Sequence, residues 1–300
     1  ILKYTCRFAR RAERKNYMYD LSDPQALHSL LSRRGFSFSK GLGQNFIIDP
    51  AVCPRMAELS GAAGGGAVLE IGPGVGVLTC ELAKLAEKVV AVELDHRLLP
   101  VLAETLAGCG NIEIVEGDAM KLDLSALITE KLGGRAAVCA NLPYYITSPM
   151  IMHLLESRLP ISSVTVMVQK EAADRLIAAP GTRQAGAVSY AVSYYSRPRA
   201  LFDVGAGSFY PRPKVDSRVI RLDIRDTPAV KAADEKLMFR LIRFAFNQRR
   251  KTLLNALSAG TGRPRAEVAG ALAAASIDPS LRGERLTLED FARLADAFGG

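Results

Sequence analysis

From Ala67 onward, short apolar runs alternate with stretches whose apolar positions recur every three or four residues. A strand buried on both faces reads as a continuous apolar run and a covering helix as a period near 3.6, so the alternation predicts a mostly parallel sheet clothed by helices. The predicted strands are "AVLEI" (67–71), "KVVAVE" (88–93), "NIEIVEGD" (111–118), "AAVCAN" (136–141) and "SVTVMVQK" (163–170). Between them lie the helical "GVLTCELAKLA", "HRLLPVLAETLA", a polar helix and "SPMIMHLLES". The rhythm then changes. "AVSYAVSYYS" and "SRVIRLDI" read as two extended segments around the Gly- and Pro-containing "VGAGSFYPRPKVD". With no crossover helix between them, they are expected as an antiparallel pair at the end of the sheet. Beyond Thr227 the strands stop, and "KLMFRLIRFAFNQRRKTLLNALSAG" and "RAEVAGALAAAS" are helical. The expected organisation is a disordered basic leader over 1–20, an α/β domain over 21–226 and a small all-helical domain over 227–300.

A length of 300 residues gives room for one large domain and a smaller one. With 49% apolar and 23% charged residues the composition is that of a soluble globular protein. No run reaches the roughly 18 apolar residues of a membrane span, and no signal-peptide pattern opens the chain, so a cytosolic location is expected. The net charge of +8 leans toward a polyanionic partner. Cys6, Cys53, Cys80, Cys109 and Cys139 are scattered without a C-x-x-C pair, and His28, His96 and His153 form no cluster, so neither a metal site nor a disulfide framework is indicated. The first seventeen residues hold six Lys/Arg against one Glu. They read as a leader, or as residues ahead of a start at Met18, rather than as a nucleic-acid-binding arm.

"LEIGPGVG" sets Gly72, Gly74 and Gly76 between a strand and a helix, where missing Cβ atoms let a ligand approach the backbone. A dinucleotide fingerprint would place its third glycine at position 77, which is Val77. The G-x-G-x-G form is instead the pattern of S-adenosylmethionine (SAM) methyltransferases. Glu93 ends the second strand about twenty residues further on, where a carboxylate can accept both hydroxyl hydrogens of a ribose. Asp118 closes the third strand at the same edge of the sheet, suited to the exocyclic amine of an adenine or to a helix N-cap.

Asn141 follows the fourth strand in "CANLPYYITSPM" and projects at that same edge. An adenine N6 is a poor nucleophile because its lone pair is delocalised into the ring. Two acceptors that take its two hydrogens draw the nitrogen toward tetrahedral geometry and free the lone pair for in-line attack on a sulfonium methyl. An Asn side-chain oxygen and a backbone carbonyl stiffened by Pro143 supply such a pair. Tyr144 offers a flat face on which an extruded base can stack. The stretch reads as an amine-methylating site.

With these motifs in hand, the chain resembles the ribosomal RNA adenine N6,N6-dimethyltransferase family, and most its small-subunit (16S) branch. The likeness runs from about Lys40 to the C-terminus through "GLGQNFIID", "VLEIGPGVGVLT", "VVAVELD", "EGDAM", "ANLPYYITSPM", "MVQKEAADRL", "FYPRPKVDS" and "FNQRRKTLLNAL". It implies a Rossmann-like SAM-dependent methyltransferase sheet, mostly parallel with an antiparallel last strand, followed by a small helical domain. It implies that Asn45, Ile47, Gly72, Glu93, Asp118 and Asn141 contact SAM. It further implies that Asn141 and the Leu142 carbonyl hold the target amine, and that Tyr144 and Phe209 flank the base. The implied substrate is a pair of adjacent adenosines in the 3′-terminal hairpin loop of 16S rRNA, each methylated twice within the immature small ribosomal subunit, by an enzyme expected to be a monomer. The chain departs from the family pattern at Ala185-Gly186, at Ser193 and at Gly205-Ala206, where a Pro pair is usual ahead of Phe209. The last departure puts the stiffness of the Phe209 loop in question.

Arg240, Arg243, Asn247 and Arg250 recur at spacings of three and four, which predicts one helical face, with Met238, Ile242, Ala245 and Phe246 toward the core. Arg249 and Lys251 lie beside that stripe, which suits phosphate contact. The rival readings are methylation of 23S rRNA, a non-catalytic RNA-binding ribosome-assembly factor, and a nicotinamide-dependent dehydrogenase, which has no use for "NLPY".

Overall fold

The computed structural model describes residues 21–36, 38 and 43–299, so the basic leader expected over 1–20 lies outside the described residues. The chain forms two compact units. One comprises the residues up to Ala173 together with Arg199–Asp223, and the other Asp174–Pro198 with Ile224–Gly300.

In the first unit, helix α1 (Pro24–Arg33) starts where the Asp23 carboxylate caps the N–H groups of Gln25 and Ala26, and it buries Leu27, Leu30 and Leu31. The short strand β1 (Phe46–Ile47) follows, then α2 (Val52–Leu59). Strands and helices then alternate: β2 (Ala67–Ile71), α3 (Val77–Leu85), β3 (Lys88–Glu93), α4 (Leu99–Thr105), β4 (Ile112–Glu116), α5 (Leu124–Lys131), β5 (Ala136–Asn141), α6 (Thr147–Glu156), β6 (Ile161–Gln169) and α7 (Lys170–Ile177). The five sheet strands in this series match the predicted runs, three of them residue for residue.

Helix α8 (Ala187–Tyr195), β7 (Ser196–Val204), β8 (Phe209–Tyr210) and β9 (Ser217–Ile224) come next. The strands assemble in the order β4-β3-β2-β5-β6-β9-β7, while β1 and β8 form a separate ribbon. The pairs β4-β3, β3-β2, β2-β5 and β5-β6 are parallel, and β9 runs antiparallel to β6. Chain order reverses between β2 and β5, the crevice where ligands of open α/β sheets bind. Ile71 is level with Val92 on one side and Ala140 on the other, so Gly72, Glu93 and Asn141 stand side by side one residue further on. A buried layer that includes Met56, Val68, Leu82, Val89 and Met167 supports this edge from one face of the sheet.

One expected element is corrected. "AVSYAVSYYS" is not a strand: Ala187–Tyr195 is helical, and the neighbour of β9 is β7, built from "SRPRALFDV". The segment carries the repeat Ala-Val-Ser-Tyr twice, and a four-residue repeat returns Tyr190 and Tyr194 to one helical face as readily as to one strand face. Packing decides between them. Tyr190 is fully buried, donates its hydroxyl to the Leu286 carbonyl at 2.5 Å and meets Phe291 edge-on, while Tyr194 bonds the Glu235 carboxylate at 2.9 Å. Tertiary contacts override the strand propensity of Val and Tyr. Pro198 in β7 is tolerated because that strand is the sheet edge.

The second unit holds α8 with α9 (Glu235–Asn247), α10 (Leu253–Thr261), α11 (Arg265–Ala274) and α12 (Leu288–Gly299) around a core that includes Tyr190, Leu241, Leu257, Leu272 and Phe291. The predicted run from 236 to 260 is therefore two helices. Gln248 leaves helical geometry, and the Thr252 hydroxyl accepts from the Asn255 N–H to start α10.

Candidate active site

The carboxyl edge of the sheet opens into a cleft with a cavity volume of about 140 Å³, lined by Asn45, Ile47, Gly72, Glu93, Asp118, Asn141, Leu142, Pro143, Tyr144 and Phe209 among others. All the cofactor and target residues expected from the sequence are thus brought to one place. Gln44, Glu70 and Asp95 line it as well. Their signal was present in "GQN", "LEIG" and "ELD", but each sits beside a residue with a stronger claim.

The turn after β2 holds Gly72, Gly74 and Gly76 at φ of +70°, +62° and +91°. A Cβ on Gly74 would stand 3.1 Å from the Phe46 ring, and one on Gly76 2.9 Å from the end of the Leu106 side chain, so the left-handed backbone favours glycine at both positions and either Cβ would need its neighbour to shift. This leaves a bare backbone rim at the first turn of α3, as a cofactor's carboxylate and ribose require.

Glu93 is buried at the end of β3 and accepts the N–H of Gly74 at 3.2 Å and of Asp95 at 2.8 Å. Burial pushes its carboxyl above the usual range, opposed by those two N–H donors. Asp95 lies next to it and is held below the usual range by the Arg97 guanidinium; it also accepts from Gln44 at 2.8 Å. Asp118 lines the cleft, and its Oδ1 accepts the Met120 N–H at 3.0 Å within a turn; it caps no helix, since α5 is capped by Asp123.

Asn141 Nδ2 donates to the Asn45 carbonyl at 3.3 Å. Among the described residues nothing donates to its Oδ1, which is left as an acceptor at the cleft. The Leu142 N–H is held by the Met167 carbonyl at 3.2 Å, and the Pro143 carbonyl accepts from Ile146 N–H at 3.1 Å, which fixes the bend of "NLPY". Tyr144 Oη lies 3.1 Å from Ser217 Oγ on β9. Phe209 is only 3% exposed, with most of its ring in the core beneath the sheet edge.

The loop ahead of Phe209 is braced despite lacking the usual prolines. The Ala206 N–H donates to Asp216 Oδ1 at 2.9 Å, Ser208 N–H to the Gly205 carbonyl at 2.9 Å, and Ser208 Oγ to Asp49 Oδ2 at 2.9 Å. β8 then pairs with β1, Ile47 opposite Phe209.

In the helical unit, Arg240, Arg243 and Asn247 are exposed on one face of α9, while Met238, Leu241, Ile242 and Ala245 are buried. Arg250 does not extend that stripe, because the helix ends at Asn247; it sits with Lys251 in the exposed turn before α10. Arg249 has a structural job in this unit, pairing with Glu284 at 3.1 Å and donating to the carbonyls of Arg183 and Ala185.

A glycine-rimmed cleft at the switch point of a mostly parallel sheet, with an acid ending the adjacent strand and an amide-proline turn opposite, defines a Rossmann-like SAM-dependent methyltransferase. The profile of the ribosomal RNA adenine dimethylase family matches residues 35–298, and the chain belongs to that family. It is 47% identical over 278 residues to the ribosomal RNA small subunit methyltransferase A of Alkaliphilus oremlandii, covering 92% of this chain and 97% of the relative. Identity to the protein of the same name from Geobacillus thermodenitrificans is 46%, covering 93% and 97%. Among solved structures, 23S rRNA methyltransferase ErmE superposes with a TM-score of 0.64 at 27% identity, covering 85% of this chain and all of that one. A dimethyladenosine transferase from Plasmodium falciparum, at 24% identity and a TM-score of 0.69 over 83% of this chain and 95% of its own, has the same fold.

Proposed function

We propose that this SAM-dependent rRNA adenine dimethyltransferase acts on two adjacent adenosines in the 3′-terminal hairpin loop of 16S rRNA, within the immature small ribosomal subunit, and converts each to N6,N6-dimethyladenosine. The observation that carries the chemistry is the Asn141 amide, anchored through Nδ2 to the Asn45 carbonyl so that Oδ1 faces the cleft as an acceptor.

The residues fit the cofactor. Glu93 takes the ribose hydroxyls, Asp118 the adenine amine, and the Gly72 turn, Asn45 and Ile47 complete the cradle. When bound, SAM supplies an electrophilic methyl group on a sulfonium sulfur. Asn141 Oδ1 and the Leu142 carbonyl accept the two N6 hydrogens of the target and so direct the nitrogen lone pair along the line of attack. Pro143 fixes the carbonyl, and Tyr144, steadied by Ser217, stacks on the base with Phe209 behind it. Arg240, Arg243, Arg250 and Lys251 contact phosphate. The identity to small-subunit enzymes exceeds that to the 23S enzyme, 47% against 27%, and this favours 16S rRNA as the substrate.

The test is methyl incorporation from radiolabelled SAM into small subunits lacking the modification, beside modified subunits and 23S rRNA, with products digested to nucleosides. Dimethyladenosine only in the unmodified subunits is the expected result. Label in 23S rRNA, or binding without transfer, would overturn the assignment.

A further inference from the structure

Among the described residues the exposed large hydrophobic side chains are Leu94, Tyr145, Val215 and Leu281, and Tyr145, at 55%, is the most open of them. It follows Tyr144 directly and lines the same cleft, yet the mechanism above gives it no task. Single exposed hydrophobic residues are common and need no reason. Tyr145 is set apart by where its ring is held.

Tyr144, Tyr145 and Ile146 form one turn of 3₁₀ helix behind Pro143. Such a turn carries three residues, so consecutive side chains leave it a third of a turn apart, and the two tyrosine rings cannot share one wall of a slot. Tyr144 reaches Ser217 on β9 through its hydroxyl. Tyr145 lies instead beside the loop ahead of β1, where a Cβ built on Gly43 would stand 3.5 Å from its Cδ1 and 3.6 Å from its Cε1. The ring thus runs alongside the Gly43 backbone and is open on the rest. Tyrosine has only two side-chain torsions, so ordering this ring beneath a flat ligand costs little.

The substrate says what that ligand is, an argument that rests on the rRNA adenine reading. A base drawn into the cleft leaves its stack, and its neighbour in the chain loses the face it lay on. The sugar and phosphate backbone joins the two, so a target held at Tyr144 delivers its neighbour to the rim next to it, where the exposed ring is that of Tyr145. Proteins that hold single strands seat successive bases on aromatic rings in this way.

We infer that Tyr145 is a second base platform: its ring stacks on the nucleobase next to the target in the RNA chain, in place of the face that base loses when the target is extruded. The ring positions the RNA and takes no part in methyl transfer. Because a strand crosses the site with one polarity, the platform serves the neighbour on one side of the target only. Stacking uses the ring face and not the hydroxyl, so a phenylalanine serves and an alanine does not.

The experiment follows single-turnover methylation by the full chain, at subsaturating concentration, of unmodified small subunits assembled on 16S rRNA with a ligated synthetic 3′ strand. The nucleotide immediately before or immediately after one target adenosine either keeps its base or is an abasic ribose, and mass spectrometry of nuclease fragments reads the product at that adenosine. On intact RNA, Tyr145→Ala is expected to slow the reaction about tenfold and Tyr145→Phe by about twofold or less, with Tm and calorimetric SAM affinity unchanged in both. Removing the base on one flank should slow the parent by the same factor and erase its advantage over Tyr145→Ala; removing the base on the other flank should leave that advantage in place. A parent indifferent to both abasic flanks would overturn the inference, and this arm does not depend on the variant folding. So would an alanine deficit that persists on both abasic RNAs, or one that arises from weaker SAM binding and gives the ring to the cofactor. A parent that methylates none of these subunits would overturn the rRNA reading as well.

Discussion

The side-chain amide of Asn141 is tethered to the backbone carbonyl of Asn45, 96 residues earlier, by a 3.3 Å hydrogen bond. The contact orients the amide: the nitrogen is committed to the protein, and the oxygen faces the cleft. Asn141→Ala removes both the tether and the acceptor. The turnover number is expected to fall by about 10²-fold or more, on the scale of losing one oriented polar group at a reacting centre, with SAM binding weakened far less. Single-turnover methylation beside calorimetric SAM titration checks the split; unchanged turnover would exclude the role.

Tyr144 divides into a ring and a hydroxyl with separate duties. Tyr144→Phe loses only the contact with Ser217 and should retain most activity. Tyr144→Ala loses the stacking face, worth roughly 1–3 kcal/mol per base, and should raise the apparent KM for RNA about tenfold or more while leaving SAM affinity in place. Steady-state kinetics of the pair separates the two duties.

Gly74→Ala forces a Cβ against the Phe46 ring at a φ of +62°. The left-handed conformation alone costs an alanine roughly 1–2 kcal/mol. A lower Tm and weaker SAM binding are expected together, because the same turn forms the cofactor rim, and a variant with the parent's Tm and affinity would show that the turn relaxes freely.

The basic residues of the helical unit fall into two kinds. Arg240→Ala and Arg243→Ala should leave Tm unchanged and each reduce the salt dependence of RNA binding by about one counterion. Arg249→Ala should lower Tm, since it removes donors from the carbonyls of Arg183 and Ala185 as well as the Glu284 pair. Thermal unfolding with filter-binding at several salt concentrations distinguishes them.

Gly205 sits at φ −66° and ψ 149°, ordinary for any residue, and its missing Cβ would meet nothing within 4 Å. Gly205→Ala is therefore expected to stabilise the protein by about 0.4–1 kcal/mol, through the smaller entropy of its unfolded chain, with activity unchanged. Denaturant unfolding measures it.

Much of the sheet was legible because its strands are buried on both faces and read as uninterrupted apolar runs, and because Gly72, Glu93 and Asn141 follow those runs directly. The reading failed at Ala187–Tyr195, where a repeat of four satisfies helix and strand alike and only contacts with Leu286, Phe291 and Glu235 choose. It also failed at Ser196–Val204, where two arginines and Pro198 mask an edge strand. Glu70 was hidden for the opposite reason: inside "AVLEI" it passed as one more strand position, and burial alone reveals it.

The two-residue ribbon of β1 and β8 joins Ile47, assigned to the cofactor, to Phe209, assigned to the base, as direct partners across a ladder. On the proposed roles, cofactor and target base would be held by the two strands of one ribbon. A methyl group added to the target nitrogen enlarges what the ribbon must close on, and any yielding of the Phe209 side is transmitted to the Ile47 side with it. On those roles the two sides move together, and the second transfer on each adenosine is expected to begin from the same spacing as the first.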